Sequence, residues 1–159
     1  MSDSNIERFD EITGKVFAHL YQSFPIPTSM GAEFVGVKIS STTLTPHIGA
    51  PSGGIYDLSV EERKTFDIFI HSVNWLAKAG YIDVSDRLHT TFYGVTLTAK
   101  GLEVLKATPS SLDSAPSIGQ QLITAAKGGF AEQLQSLTSS ALKRGIALAV
   151  TAASELAIS

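Results

Sequence analysis

Thr98 separates two segments of different hydrophobic period. Residues 92–98, FYGVTLT, alternate apolar and polar side chains, as a half-buried β-strand does. The following residues, AKGLEVLK, place Leu102 and Leu105 three positions apart, which is the spacing of one helix face. A threonine at such a junction can accept a hydrogen bond from a backbone amide of the first helical turn. The stretch therefore predicts a strand that leads without a loop into a capped helix.

A second helix start is predicted at Ser59. The sequence SVEE (59–62) is a capping box, in which the serine and the glutamate three residues later each bond the other's backbone amide. Gly80 stands where a left-handed residue commonly ends a helix. The alternating residues YIDVS (81–85) predict a strand, and residues 86–91 predict the turn that leads to the next strand. The inward face of the helix follows helical spacing: Phe66, Phe69, Ile70, Val73, Leu76 and Ala77.

The N-terminal third of the chain predicts one long helix followed by less regular structure. Apolar residues at helical spacing run from Asn5 to Phe24, beginning with Ile6, and two prolines then end the pattern. Residues 28–36 predict a short helix. Residues 37–58 are rich in Ser, Thr, Gly and Pro, and they predict a long loop with one short strand near 37–39.

The order of these elements resembles that of a winged-helix domain: helix, short helix, long helix, two-stranded hairpin and closing helix. The resemblance is carried by NWLAKAGYI (74–82), which leads into the hairpin, and by LTAKGLEVL (97–105), which leaves it. It covers residues 5–107 and implies an α+β fold, with residues 1–107 as the winged-helix domain. The chain also resembles uncharacterised bacterial winged-helix proteins with an Ala/Gly-rich helical tail, a likeness that implies no activity.

The composition of the chain changes in its last third. Residues 108–117, TPSSLDSAPS, contain two prolines and are predicted to be a linker. Residues 118–159 form the predicted helical tail, because their apolar residues recur at three- and four-residue steps. The glycine pair at 128 and 129 divides this tail into two predicted helices, at 117–127 and 130–157.

A helix with one apolar stripe must cover that stripe against another surface. Three alternatives follow for the tail: packing on the winged-helix body, association with a second copy or a partner protein, or contact with a membrane. The apolar stretch GIALAVTAA (145–153) is too short to span a bilayer and would suit an interfacial helix. Association is the prediction adopted here, through the face formed by Phe130, Leu134, Leu137, Leu148 and Leu156.

Charge argues against general DNA binding, although winged-helix proteins are often regulators. The second helix of a helix-turn-helix motif enters the major groove, and here that helix begins with Glu61 and Glu62. The net charge is −3 and the pI about 5.7, whereas contacts to phosphates require clustered Lys and Arg. The alternative function, a DNA-binding transcription regulator, would use Arg63, Lys64 and Arg87.

No pattern in the sequence predicts catalysis, a metal site or a cofactor. The chain has no cysteine, which excludes thiolate ligands and cysteine nucleophiles. Its histidines, His19, His47, His71 and His89, lack a second ligand at metal-binding spacing. The glycine-rich GAPSGG (49–54) lacks the lysine of a phosphate-binding loop. The prediction is therefore a protein that is not an enzyme and that carries no metal and no cofactor.

The N-terminal residues MSDSNIERFDEITGK are polar and acidic, unlike a secretory signal. No uncharged apolar run approaches the ~20 residues that a membrane-spanning helix needs. We therefore expect a cytoplasmic, non-catalytic regulatory or adaptor module that acts through protein contacts and self-association, as a homo-oligomer or with a protein partner. DNA binding is the first alternative. The second is a membrane-associating effector with the winged helix as its control domain.

Overall fold

The computed structural model of the 159-residue chain describes residues 4–39, 58–107 and 115–158. Within these ranges it contains five α-helices, one 3-10 helix and four short strands, so the α+β class is confirmed. The predicted loop at 37–58 and the predicted linker at 108–117 lie mostly outside the described residues. The elements follow in this order: α1 (Asn5–Ser23), β1 (Thr28–Met30), the 3-10 helix (Ala32–Val35), α2 (Val60–Lys78), β2 (Ile82–Asp83), β3 (Asp86–Leu88), β4 (Thr91–Leu97), α3 (Ala99–Lys106), α4 (Ile118–Gly128) and α5 (Ala131–Ile158).

Local hydrogen bonds set the start of four helices. The Ser59 hydroxyl accepts a bond from the Glu62 amide at 3.2 Å, and the Glu62 carboxylate accepts one from the Ser59 amide at 2.9 Å. Helices α1 and α4 begin with capping boxes of the same kind. The Thr98 hydroxyl accepts a bond from the Gly101 amide at 3.1 Å, so β4 passes directly into α3. The helix starts predicted at Ser59 and Thr98 are thus confirmed.

Strand β4 is the centre of a small antiparallel sheet. Strand β1 pairs along one edge of β4, with Thr28 opposite Val95, while β2 and β3 pair in succession along the other edge. The predicted turn at 86–91 is too long, because Asp86–Leu88 pair with β4 and leave only His89 and Thr90 between the strands. The hairpin therefore extends further than alternation of side chains indicated.

The segment after α1 also differs from the prediction. Residues 28–36 were expected to form a short helix, but Thr28–Met30 pair with β4, and only Ala32–Val35 form a single 3-10 turn. Gly36 ends this turn in the left-handed conformation, with φ of 77°. Residues 37–39 do not form the predicted strand. The backbone of β1 is paired with a strand more than sixty residues away, a relation that local periodicity does not reveal.

Helix α4 and the first half of α5 belong to the same core as α1. Gly14 allows α1 and α5 to approach closely, since a Cβ at this position would lie 2.7 Å from the Thr138 hydroxyl oxygen. Of the three alternatives for the tail, packing on the rest of the chain therefore holds for α4 and the first half of α5. Buried residues from α1, α4 and α5 share this core: Val16, Phe17, Leu20, Ile118, Leu122, Leu134 and Ala141.

The last part of α5 extends beyond this core. Every residue from 149 to 157 is exposed, and we call this segment the α5 tip. At 1.5 Å per residue the tip is about 14 Å long, or roughly two and a half turns. Helix α5 thus has an anchored first half and a solvent-facing end.

Candidate functional site

The residues predicted to form an associating face do not share one exposed surface. Leu134 is fully buried in the core, and Leu137 and Leu148 are half-buried against it. Phe130 and Leu156 are exposed, but they lie at opposite ends of α5. The prediction of one exposed face is therefore wrong. Helical spacing identifies an apolar stripe, but it does not show which part of that stripe packs against the core of the same chain.

An apolar cleft lies beside the exposed half of α5. Its volume is about 370 Å³, and we call it the Trp75 cleft. Ile146 and Val150 form its α5 side, and their exposed fractions are 64 % and 61 %. The surface is continuous with the α5 tip, because the cleft is lined by Trp75, Ala79, Tyr81, Lys100, Leu142, Ile146, Ala149, Val150 and Ala153.

Tyr81 fixes the floor of the Trp75 cleft. Its hydroxyl donates to the Leu142 carbonyl at 3.2 Å, and burial raises the pKa of Tyr81, so the group stays protonated as a donor. The Trp75 ring stacks on the Tyr81 ring with 6.2 Å between centroids. The Lys100 amine lies 4.3 Å from the Tyr81 ring centroid and donates to the Ala79 carbonyl at 2.9 Å. The cation that borders the cleft is therefore already engaged within the chain.

A larger groove of about 920 Å³ lies between α1 and α2, and we call it the α1/α2 groove. Trp75 lines both this groove and the Trp75 cleft, so it stands between the two cavities. The apolar lining of the α1/α2 groove comes from Ile6, Phe9, Leu58, Val60, Ile68 and Trp75. Its polar lining comes from Asn5, Arg63, Lys64, Asp67, His71 and Ser72.

Contacts between α1 and α2 hold the α1/α2 groove in shape. Phe9 meets the Trp75 ring edge to face, with 5.4 Å between centroids and an interplanar angle of 87°. Nearer the start of both helices, Arg8 forms an ion pair with Glu61. Neighbouring residues of α1 thus contact two points of α2 that are fourteen residues apart.

The structure brings together two of the three residues named for DNA contact. Arg63 is exposed, Lys64 is half-buried, and both line the α1/α2 groove. Arg87 lies on β3, where its guanidinium carbon is 5.2 Å from the Phe92 ring centroid. Arg87 thus lies over an aromatic ring, and Arg63 and Lys64 border an apolar cavity.

The histidines that fall in the described ranges lie apart from one another. His19 packs edge to face on Phe34, His89 occupies the hairpin turn, and His71 is exposed in the α1/α2 groove. No group of three or more potential metal ligands occurs within the residues that the structure describes. His47 and the glycine-rich stretch 49–54 lie outside those residues.

Sequence reasoning missed the α1/α2 groove. Ile6 was counted in the buried stripe of the first helix, yet 69 % of its surface is exposed. On α2, Val60, Ile68 and Trp75 repeat at steps of eight and seven residues, outside the core stripe that runs from Phe66 to Leu76. This second apolar stripe was the available signal, and it indicates a helix with apolar residues on two faces.

Comparison with known proteins identifies no relative: no protein-family model, no curated protein and no solved structure matches the chain. No helix in the described ranges is long and apolar enough to cross a membrane. Function is therefore argued from the surfaces themselves.

Proposed function

We propose that this protein is a non-catalytic regulatory or adaptor module with a winged-helix body, and that it self-associates through the α5 tip. The order of elements supports the winged-helix assignment: a long helix, a short strand, a single helical turn, a second long helix and a hairpin. In that arrangement α2 takes the place of the recognition helix, and β3 with β4 forms the wing.

The exposed α5 tip is the observation that carries the proposal. Six of its nine residues are apolar, and Glu155 is its one charged residue. Isolated helices this short are marginal in water, and most helical stability in proteins comes from packing of an apolar face. A surface that covers the tip would therefore stabilise it, and large exposed apolar patches commonly mark protein contact sites.

A second copy of the chain fits this surface. The α5 tip and the Trp75 cleft adjoin each other, both are apolar, and Lys100 at the cleft is engaged with Ala79 and Tyr81. In a two-fold dimer each tip can lie in the partner's cleft, so the same patch is buried twice. Alanines at 149 and 153 would let two α5 helices approach closely, because the distance between packed helices depends on side-chain size.

The proposal is tested by the mass of the full-length protein in solution, measured by light scattering after size exclusion over a range of concentrations. We expect a dimer that dissociates on dilution. Ile146→Asp with Val150→Asp should give a monomer at every concentration, because two carboxylates would be buried without partners. The matched control is Ala147→Asp with Thr151→Asp, which adds the same charge at the same spacing to exposed positions on another side of α5.

The control pair should remain dimeric. A wild-type protein that is monomeric at all concentrations would refute self-association. Equal dissociation of both double variants would show that added charge, rather than the position of the surface, controls the mass.

A further inference from the structure

The α1/α2 groove has the dimensions of a ligand site. Its volume of about 920 Å³ falls within the range of roughly 300–1,000 Å³ that small-molecule pockets occupy. It follows α2 from Val60 to Trp75, a length of about 22 Å at 1.5 Å per residue. A groove of this shape accommodates an extended chain better than a compact molecule.

The apolar surface of the groove is accessible along its length. Val60 has 87 % of its surface exposed and Ile6 69 %, one on the first turn of each helix. Further along α2, Ile68 is half-buried, and Phe9 and Trp75 close the far end through their ring contact. An apolar chain lying here would remove all five side chains from water, which is the main favourable contribution to binding of such molecules.

The charges along the groove favour an anion at the end near Val60. Asp67 is the one carboxylate among the described lining residues, and two cations, Arg63 and Lys64, line the same groove. The nearby carboxylates are already engaged, since Glu61 pairs with Arg8 and Glu62 accepts bonds from Ser59. No ion pair of Lys64 occurs among the described residues. Lys64 is half-buried in the groove wall, so an anion that lies at this end would be close to its ammonium.

From this combination we infer that the α1/α2 groove binds an amphipathic carboxylate with an extended apolar chain, of the fatty-acid type. The carboxylate lies at Lys64, and the chain runs past Ile68 toward Phe9 and Trp75. The inference is independent of self-association, which uses the other side of Trp75.

Trp75 supplies the measurement, because it is the chain's sole tryptophan. The full-length protein is titrated with decanoate, below the concentration at which decanoate forms micelles, and tryptophan emission is recorded. We expect a saturable change in emission. Lys64→Gln should weaken binding by about tenfold, since hydrogen bonds to charged groups contribute at least that much. Lys78→Gln removes a cation from the exposed last turn of the same helix and should leave the affinity unchanged.

Two further titrations make the test decisive. The neutral alcohol 1-decanol should bind more weakly than decanoate, and the decanoate signal should persist in the Ile146→Asp/Val150→Asp protein, because that change lies outside the groove. No saturable change with decanoate would overturn the inference, as would equal affinities of the wild-type and Lys64→Gln proteins.

Discussion

Gly145 of α5 lies directly against the ring of Tyr81, so close that a Cβ on Gly145 would overlap the phenol. The Tyr81 hydroxyl donates to the carbonyl of Leu142, one turn earlier in the same helix. Tyr81 lies between the end of α2 and the start of β2, and its side chain contacts Trp75 of α2 and Gly145 of α5. The anchored half of α5 ends at this contact, and the exposed α5 tip begins four residues later.

Replacing Gly145 with valine should destabilise the protein by about 1–3 kcal/mol, the usual cost of forcing extra atoms into a packed site. Helix propensity contributes little, since glycine and valine are both poor helix formers. The free energy of unfolding is measured by urea denaturation. Ser140→Val, at an exposed position of α5 before the tip, is the matched control and should change it by no more than about 0.5 kcal/mol. Equal stabilities of the two variants would mean that Tyr81 does not hold α5.

The first half of α5 should unfold together with the rest of the protein. Leu134 is fully buried, so Leu134→Ala is expected to cost about 2–5 kcal/mol, whereas Leu88→Ala, at an exposed position of β3, should stay within about 0.5 kcal/mol. Far-ultraviolet circular dichroism reports all helices and Trp75 emission reports α2, and the two transitions should coincide in wild-type and variant alike. A separate early transition in circular dichroism would show that the tail folds independently.

The features that sequence analysis predicted well are those specified by neighbouring residues. The side chains of Ser59 and Glu62 each accept a hydrogen bond from the other's backbone amide, and the Thr98 hydroxyl accepts one from the Gly101 amide. Both helix starts could therefore be predicted from residues three positions apart. Strand β1 could not be predicted from its neighbours in the sequence, because Thr28 pairs with the distant Val95. Gly36 confines the turn after β1 to a single 3-10 turn, which leaves no room for the short helix expected there.

The surfaces depend on relations that periodicity cannot supply. Leu134 and Leu156 both lie on the three- and four-residue apolar repeat of the tail, yet one is in the core and the other is exposed. Which half of α5 is covered depends on where Tyr81 and Gly14 meet it, and both lie far away in sequence. The same holds for the α1/α2 groove, whose two walls come from helices separated by more than thirty residues.

Duplex DNA is not expected to bind. The side chains of Arg63 and Lys64 border an apolar groove, Arg87 lies over Phe92, and the chain carries a net charge of −3. Fluorescence anisotropy with a mixed-sequence duplex should show no saturable binding at low or at physiological salt. Binding that weakens steeply with salt would mean that several phosphates are contacted, and it would favour the transcription-regulator hypothesis.

The capping box at the start of α2 should make stability depend on pH at the acid end. Hydrogen bonds from the Ser59 hydroxyl, and then from its backbone amide, lower the pKa of Glu62. A carboxylate whose pKa is lowered by folding stabilises the protein above its unfolded pKa of about 4.3, and this contribution is lost as the pH falls through the folded value. Glu62→Gln should therefore lower the urea midpoint more at pH 7 than at pH 3, because the contribution of the ionised side chain declines as the pH falls. Ser59→Ala removes the hydroxyl donor, keeps the backbone amide donor, and should weaken the acid-end pH dependence in part. If the urea midpoints of wild type and Glu62→Gln differed by the same amount at pH 7 and pH 3, Glu62 would act at this cap through its shape and not through its charge.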